Sequence, residues 1–265
     1  MSADRRTDTN ARRTSLMKIG LIGTGHIGSS LAKRLPTKGH EVKIANSRGP
    51  ETIDSDLLAT GAQAVTAEEA ASDVDALILS IPLNAMSKIA PLVQSLPEQT
   101  AVIDTSNYYP NRDEAVEAID NGQVESEWVV EQLGARTIVK AWNAVGWGVL
   151  ADDAREAGDP ERVAIPVAGD DAHAKEIAMT LVNDSGLDPV DAGSLAESWR
   201  QQPGSPVYCT KLTADQIPAA LKAARKEKLA HRRDMFVAVL FDHMEDETLT
   251  VDGDYGTQLS RIIYS

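Results

Sequence analysis

Apolar residues along this chain come in short runs, and their spacing alternates between that of strands and that of helices. Met17-Lys18-Ile19-Gly20-Leu21-Ile22 reads as a buried strand, Ser29 to Lys38 as a helix, and Glu41 to Ala45 as a second strand. Ala62 to Val65 predicts a short third strand, and Thr66-Ala67-Glu68-Glu69 can cap and begin a short helix. Ala76 to Ser80 is apolar almost throughout, as expected of a fourth strand covered on both faces. Asn84 to Ser95 predicts a helix, Ala101 to Asp104 a fifth strand, Ser126 to Leu133 a helix and Thr137 to Ala141 a sixth strand. Strands and helices alternating with short connections predict a parallel sheet covered by helices. The expected fold class is α/β: a Rossmann-type doubly wound parallel sheet over residues 17–148, with a smaller C-terminal α/β appendage over residues 149–265.

Beyond Asn143 the rhythm changes. Arg162 to Ala168 predicts another strand, Ala172 to Ser185 a helix, Pro189-Val190 an extended piece and Ala196 to Arg200 a helical turn. Gln201 to Pro206 is a loop by composition. Ala214 to Ala238 predicts one helix whose cations Lys222, Arg225, Lys226, Lys228, Arg232 and Arg233 form a solvated face. The last twenty residues alternate weakly around Leu249 to Val251, which predicts a terminal strand or hairpin. Residues 1–16 are polar and without periodicity, as in a disordered leader; no apolar segment follows the Arg5-Arg6 and Arg12-Arg13 pairs to make an export signal.

The junction of the first strand and helix carries the clearest chemistry. Gly23-Thr24-Gly25-His26-Ile27-Gly28 has the G-x-G-x-x-G spacing between an apolar strand and a helix, the context a dinucleotide-binding turn requires. Gly23 permits the tight turn, Gly25 lets a pyrophosphate approach the backbone, and Gly28 lets the helix sit against the sheet. The helix N-terminus then offers unpaired N–H groups to the anion. After the second strand, where an NAD site places an acid for the ribose hydroxyls, stand Asn46, Ser47 and Arg48. An acid would repel a 2′-phosphate, whereas a serine hydroxyl and an arginine fork suit one, so the expected dinucleotide is NADP(H).

In such a sheet ligands lie at the carboxyl ends of the strands. Ser80-Ile81-Pro82-Leu83-Asn84, Thr105-Ser106-Asn107-Tyr108-Tyr109 and Trp142-Asn143-Ala144-Val145-Gly146 follow the fourth, fifth and sixth strands. Asn84 and Asn143 can be helix caps or ligand groups, and Thr105-Ser106 can close a turn or face a ligand; their convergence at three strand ends points to a site. Tyr108 can serve as an acid, and Tyr108-Tyr109 as a wall of the pocket. Of the five histidines, His26 lies in the glycine turn, and none stands at a strand end with an obvious acidic partner. A site without a dedicated proton donor suits hydride exchange between two cofactor rings.

Composition narrows the partners. With 26 Lys and Arg against 40 Asp and Glu, the net charge of −14 argues against nucleic-acid binding. No apolar run reaches the ~18 residues of a membrane span. The single cysteine, Cys209, precludes an internal disulfide, suits a reducing, cytoplasmic setting and is expected to be a small buried residue.

Gly23-Thr24-Gly25-His26-Ile27-Gly28, Asn46-Ser47-Arg48, Ser80-Ile81-Pro82 and Val190-Asp191-Ala192-Gly193 resemble the NADP-dependent oxidoreductases that use the deazaflavin coenzyme F-420. The resemblance covers roughly residues 17–200. Its early part is also similar to pyrroline-5-carboxylate reductase and to the cytosolic domain of the STEAP ferric reductases. It implies that Thr24, Ser47 and Arg48 hold the 2′-phosphate side of NADP, and that Ser80 to Pro82 and Asn143-Ala144-Val145 border the nicotinamide. It implies a deazaflavin or other small-molecule redox substrate lying face to face with that ring, and a homodimer whose C-terminal segment completes the pocket. An imine or pyrroline reductase, or an NADP-binding redox sensor without turnover, are the other readings of the same motifs.

Overall fold

The computed structural model describes residues 16–245 and 252–265. Eight strands make one sheet in the order β3-β2-β1-β4-β5-β6-β7-β8. These are β1 (Lys18–Ile22), β2 (Glu41–Ala45), β3 (Gln63–Ala64), β4 (Ala76–Leu79), β5 (Ala101–Asp104), β6 (Val139–Lys140), β7 (Ala164–Gly169) and β8 (Asp188–Asp191). The first six are mutually parallel. β7 then pairs antiparallel with β6, and β8 parallel with β7. The doubly wound sheet is therefore as expected, and the C-terminal strands extend that same sheet.

The alternation of side chains explains the layering. In β4, Ala76 and Ile78 join one core with Leu31 and Leu35, whereas Leu77 and Leu79 join the other with Met86, Val93 and Val129. The first layer holds α1 (His26–Arg34) and, further along the chain, α8 (Ala172–Asp184). The second holds α2 (Ala67–Ala70), α3 (Met86–Gln94) and α6 (Glu125–Gln132). Gly20 lets α2 approach β1: a Cβ there would overlap the carbonyl of Ala70 and the side chain of Leu77. Thr66 and Glu69 form the expected capping box at the start of α2.

Several elements differ from the sequence expectation. α1 begins at His26 and ends at Arg34, because Pro36 diverts Leu35–Lys38 into a 3-10 turn. The short helices α4 (Pro110–Asp113), α5 (Glu117–Asp120) and α7 (Trp147–Asp152) lack a periodic signal long enough to read. The single helix expected over 214–238 is two: α9 (Ile217–Ala223) and α10 (Leu229–Glu245), separated by a 3-10 turn at Lys226–Lys228. Tertiary packing sets this break. Ala224 leaves the helical region, and the backbone of Leu229 sits so close to Gly204 that a Cβ on the glycine would overlap it. The cationic face is also partly corrected: Arg233 is buried with its guanidinium 5.1 Å from the Tyr108 ring centroid, and Arg232 donates to the carbonyls of Tyr264 and Ser265.

The terminal segment is a helix, α11 (Gly253–Tyr264), in place of the expected strand or hairpin. Asp252 caps it, accepting from the Tyr255 N–H at 2.8 Å, and Thr257, Ser260 and Tyr264 form its buried face at helical spacing. Leu249 to Val251 and the leader's first fifteen residues lie outside the described residues. His40 is the other correction: it is buried at the start of β2, with Nε2 3.0 Å from Asp184 Oδ2 and Nδ1 accepting the Met17 N–H. It joins β2 to α8 at the edge of the sheet opposite the glycine turn. Among the described residues no helix is long and apolar enough to cross a membrane.

Candidate functional site

The carboxyl ends of β1, β4, β5 and β6 open into one cleft of about 650 Å³. The order of these strands reverses direction between β1 and β4, the switch point at which open α/β sheets bind ligands. The glycine turn forms one end of the cleft. Gly23 has φ +113°, and a Cβ there would run into the Ser80 carbonyl; a Cβ on Gly28 would run into the Gly23 carbonyl. Gly25 alone of the three faces open space. It is the N-cap of α1 and, lacking a side chain, makes no side-chain cap bond to that turn. Two glycines thus close the backbone on itself, and the third leaves the helix N-terminus accessible to an anion.

The loop after β2 is shaped by Asn46. Its Oδ1 accepts the Arg48 N–H at 2.9 Å, and its Nδ2 donates to Thr52 Oγ1 at 2.9 Å. The amide is committed to the turn, which leaves Ser47 and Arg48 exposed, and neither side chain has a protein partner among the described residues. The residues present fit a 2′-phosphorylated dinucleotide: an open glycine at a helix N-terminus, and one strand over, an unspent hydroxyl and guanidinium.

Of the residues singled out in the sequence, Gly25, His26, Ile27, Ser80, Ile81, Pro82, Thr105, Asn107, Asn143 and Val145 come together around the cleft. Gly23 and Gly28 lie beneath the turn, and Thr24 accepts the Ser29 hydroxyl on its backbone carbonyl. Asn46, Ser47 and Arg48 stand outside the cleft on the neighbouring loop. Asn84 is exposed in a 3-10 turn beyond it, and Ala144 is buried in the C-terminal core, its carbonyl accepting the Cys209 N–H at 2.9 Å.

The strand-end loops are tied by side chains. Asn107 Nδ2 donates to the Asn143 carbonyl at 2.9 Å, and Asn143 Nδ2 donates back to Asn107 Oδ1 at 3.1 Å and to the Gln201 carbonyl at 2.8 Å. Gln201 Nε2 completes the set by donating to Asn143 Oδ1 at 2.8 Å. Thr105 Oγ1 donates to the Leu79 carbonyl. Under the same loop lies a buried ion pair: Lys140 Nζ is 2.6 Å from both Asp104 Oδ2 and the Ser106 carbonyl, while Asp104 Oδ1 accepts the Ser106 N–H. Glu125 accepts the Tyr108 N–H at 3.1 Å, and burial pushes its carboxyl up to about 7 in spite of Lys140 and Arg233.

Tyr109 lines the cleft as expected of a wall residue, but three of the groups that close it carry no signal in the sequence. Tyr208 meets Tyr109 hydroxyl to hydroxyl at 2.9 Å, and Phe236 and Leu240 of α10 form an apolar side. Only their place in the folded chain brings the tail to the strand ends. Tyr108 does not line the cleft; its hydroxyl donates to Asp120 and accepts the Val116 N–H, which removes it as a candidate acid. Cys209 does line it, and burial pushes its thiol up to about 12, so it remains an unreactive neutral group. Backbone strain gathers here: Trp142 and Cys209, both on the cleft, hold φ of +55° and +56° without being glycine.

Comparison with known proteins agrees with the nucleotide-binding reading. Residues 18–108 match the family described as NADP oxidoreductase, coenzyme F420-dependent. The chain is 49% identical over 79 residues to the protein YjhV of Escherichia coli (strain K12), a match covering 29% of this chain and 58% of that protein. It is 28% identical over 181 residues to Metalloreductase STEAP3 of Rattus norvegicus, covering 68% of this chain and 35% of that protein. The matches thus span 58% or less of the length of these curated relatives. Among solved structures, the hypothetical protein SMa0349 from Sinorhizobium meliloti superposes with a TM-score of 0.62 at 28% identity, over 74% of this chain and 94% of that one. The resemblance to the F420-dependent NADP oxidoreductases holds over the nucleotide-binding segment, and the fold is of the Rossmann type.

Proposed function

We propose that this protein binds NADP(H) across the carboxyl ends of β2, β1, β4 and β5, and passes hydride between the nicotinamide and a deazaflavin- or flavin-like acceptor held in the cleft. The family match supports oxidoreduction with NADP, and the family's description supports a deazaflavin partner. One observation carries the reading: an open glycine turn and a largely apolar cleft wall share one sheet edge. Gly25 and the α1 N-terminus receive the pyrophosphate, and Ser47 and Arg48 receive the 2′-phosphate. Ile81 and Pro82 pack on the nicotinamide, and the Asn107–Asn143–Gln201 ties hold the loops that face it.

The far wall favours ring-to-ring transfer. Burial holds Tyr109, Tyr208 and Cys209 protonated, so none of them is poised to exchange a proton near neutrality. The cofactor rings carry the chemistry, and the protein supplies orientation and excludes water. Anaerobic oxidation of NADPH in the presence of coenzyme F-420, FMN, a quinone or a cyclic imine tests this. Turnover with the deazaflavin or the flavin is expected. Turnover with the imine alone, or with none of the four, contradicts it.

A further inference from the structure

The tail of the chain, residues 205–265, brings to the cleft a polar pair embedded in apolar surface. Tyr109 comes from the loop after β5 and Tyr208 from the turn before α9, and their hydroxyls lie 2.9 Å apart. Two neutral hydroxyls carry two protons, and their mutual bond uses one. The other O–H needs an acceptor, as a buried donor does in general. Within the protein Tyr208 reaches the Cys209 thiol, a weak acceptor that a carbonyl oxygen outcompetes. Tyr264, edge-on to Tyr208 with centroids 6.2 Å apart, has a buried hydroxyl without a partner among the described residues, so it does not serve as the acceptor.

The pair is held in place from both sides. The Tyr109 N–H donates to Asp113 Oδ2 at 3.0 Å, and the Arg112 guanidinium lies 5.4 Å from the Tyr109 ring centroid. Cys209, next to Tyr208, donates its N–H to the Ala144 carbonyl from a left-handed conformation. That strain fixes Tyr208 against the loop after β6. The surroundings define what the pair meets. Phe236 and Leu240 are apolar, and the one cation beside Tyr109 among the described residues, Arg112, commits its Nε and Nη2 to the carboxylate of Asp113. A carboxylate or phosphate substrate would find no unspent charge here. A flat ring with apolar faces and a carbonyl on its edge fits.

Resting on the function proposed above, we propose that the Tyr109–Tyr208 hydroxyl pair recognises a ring carbonyl of the acceptor, a fused heteroaromatic compound of the deazaflavin or flavin kind. The two tyrosines act as one positioning unit. One hydroxyl donates to the ring carbonyl, and the other orients it. Because both remain neutral, they add no charge to repel the dinucleotide's phosphates.

The test is fluorescence titration of coenzyme F-420 and, separately, of riboflavin into the NADP⁺-loaded wild type and the variants Tyr109→Phe, Tyr208→Phe and the double variant. NADPH affinity and melting temperature are measured in parallel. Loss of one neutral hydrogen bond to a ligand weakens binding by roughly 2- to 13-fold. Each single variant is expected to lose affinity for the bound ring within that range, the double variant no more than about either single one. NADPH affinity is expected to stay within about twofold, since the pair is assigned to the acceptor ring and not to the dinucleotide. The arm that binds distinguishes deazaflavin from flavin. Equal ring affinity in wild type and variants, or fully additive losses, would overturn the proposal alone. Failure of both rings to bind the NADP⁺-loaded wild type overturns it together with the assigned acceptor class, and failure of NADPH to bind the wild type overturns the function itself.

Discussion

Gly25 and Gly28 stand three residues apart in one motif and do opposite things. Gly28 is needed by the protein, since a Cβ there collides with the Gly23 carbonyl, whereas Gly25 faces empty space and is needed only by what binds there. Gly25→Ala is expected to fold with a melting temperature near that of the wild type yet bind NADPH at least about tenfold more weakly. Gly28→Ala should lower the melting temperature, because helix or strand must shift. Calorimetry and NADPH titration on the two variants separate these effects. The glycine roles were legible because the motif is local, its residues adjacent in sequence. Asn46 was read only as a missing acid; its bonds to Arg48 N–H and Thr52 depend on a turn geometry that residue types alone do not reveal.

Loops, more than strands, carry the site. The loop after β5 is gripped by Asp104, Lys140, Glu125 and Asp113, each bonded to its backbone. Removing one partner of the fully buried Asp104–Lys140 pair leaves an unpaired buried charge, a loss of ~3–5 kcal/mol. Asp104→Asn should show it in urea unfolding, and a midpoint like that of the wild type would refute the role given to the pair. Glu125 gives the loop a pH dependence. Its carboxyl, ordinarily at 4.5, sits at about 7 in the folded protein, so the native state binds that proton more tightly than the unfolded chain. The resulting stability is fully present below pH 4.5 and is lost as pH rises through about 7. Melting temperature measured across this window should carry that decline in the wild type and lack it in Glu125→Gln. The strand ends could be read from sequence because apolar runs and short connections mark them. The ties could not, since Asn143 and Gln201, or Asp104 and Lys140, are distant in the chain and meet only through the strand order.

At the scale of the whole molecule, the chain uses its second half to finish what the first half begins. β7 reverses direction beside β6 and carries the sheet onward, and α10 and α11 return to the open strand ends. The apolar pattern revealed β7, α8 and β8 but misread the tail, where the break at Ala224 and the helix after Asp252 arise from packing against Gly204, Phe236 and Tyr208. If α11 completes the cleft, its cap matters to the acceptor more than to the dinucleotide. Asp252→Ala removes a helix cap, at a cost of ~1 kcal/mol. It is expected to lower riboflavin or deazaflavin affinity while NADPH affinity holds; parallel titrations would reveal a common loss if α11 instead supports the nucleotide.

The central claim is that the exposed Ser47-Arg48 corner grips the phosphate on the adenosine ribose. Calorimetric titration of NADPH and NADH into the wild type and Arg48→Ala measures it directly. Charge-assisted hydrogen bonds contribute ~1.5–3 kcal/mol, so Arg48→Ala should weaken NADPH binding by roughly ten- to a hundredfold and leave NADH nearly unchanged. A wild type that prefers NADH, or a variant that loses both dinucleotides equally, would contradict it.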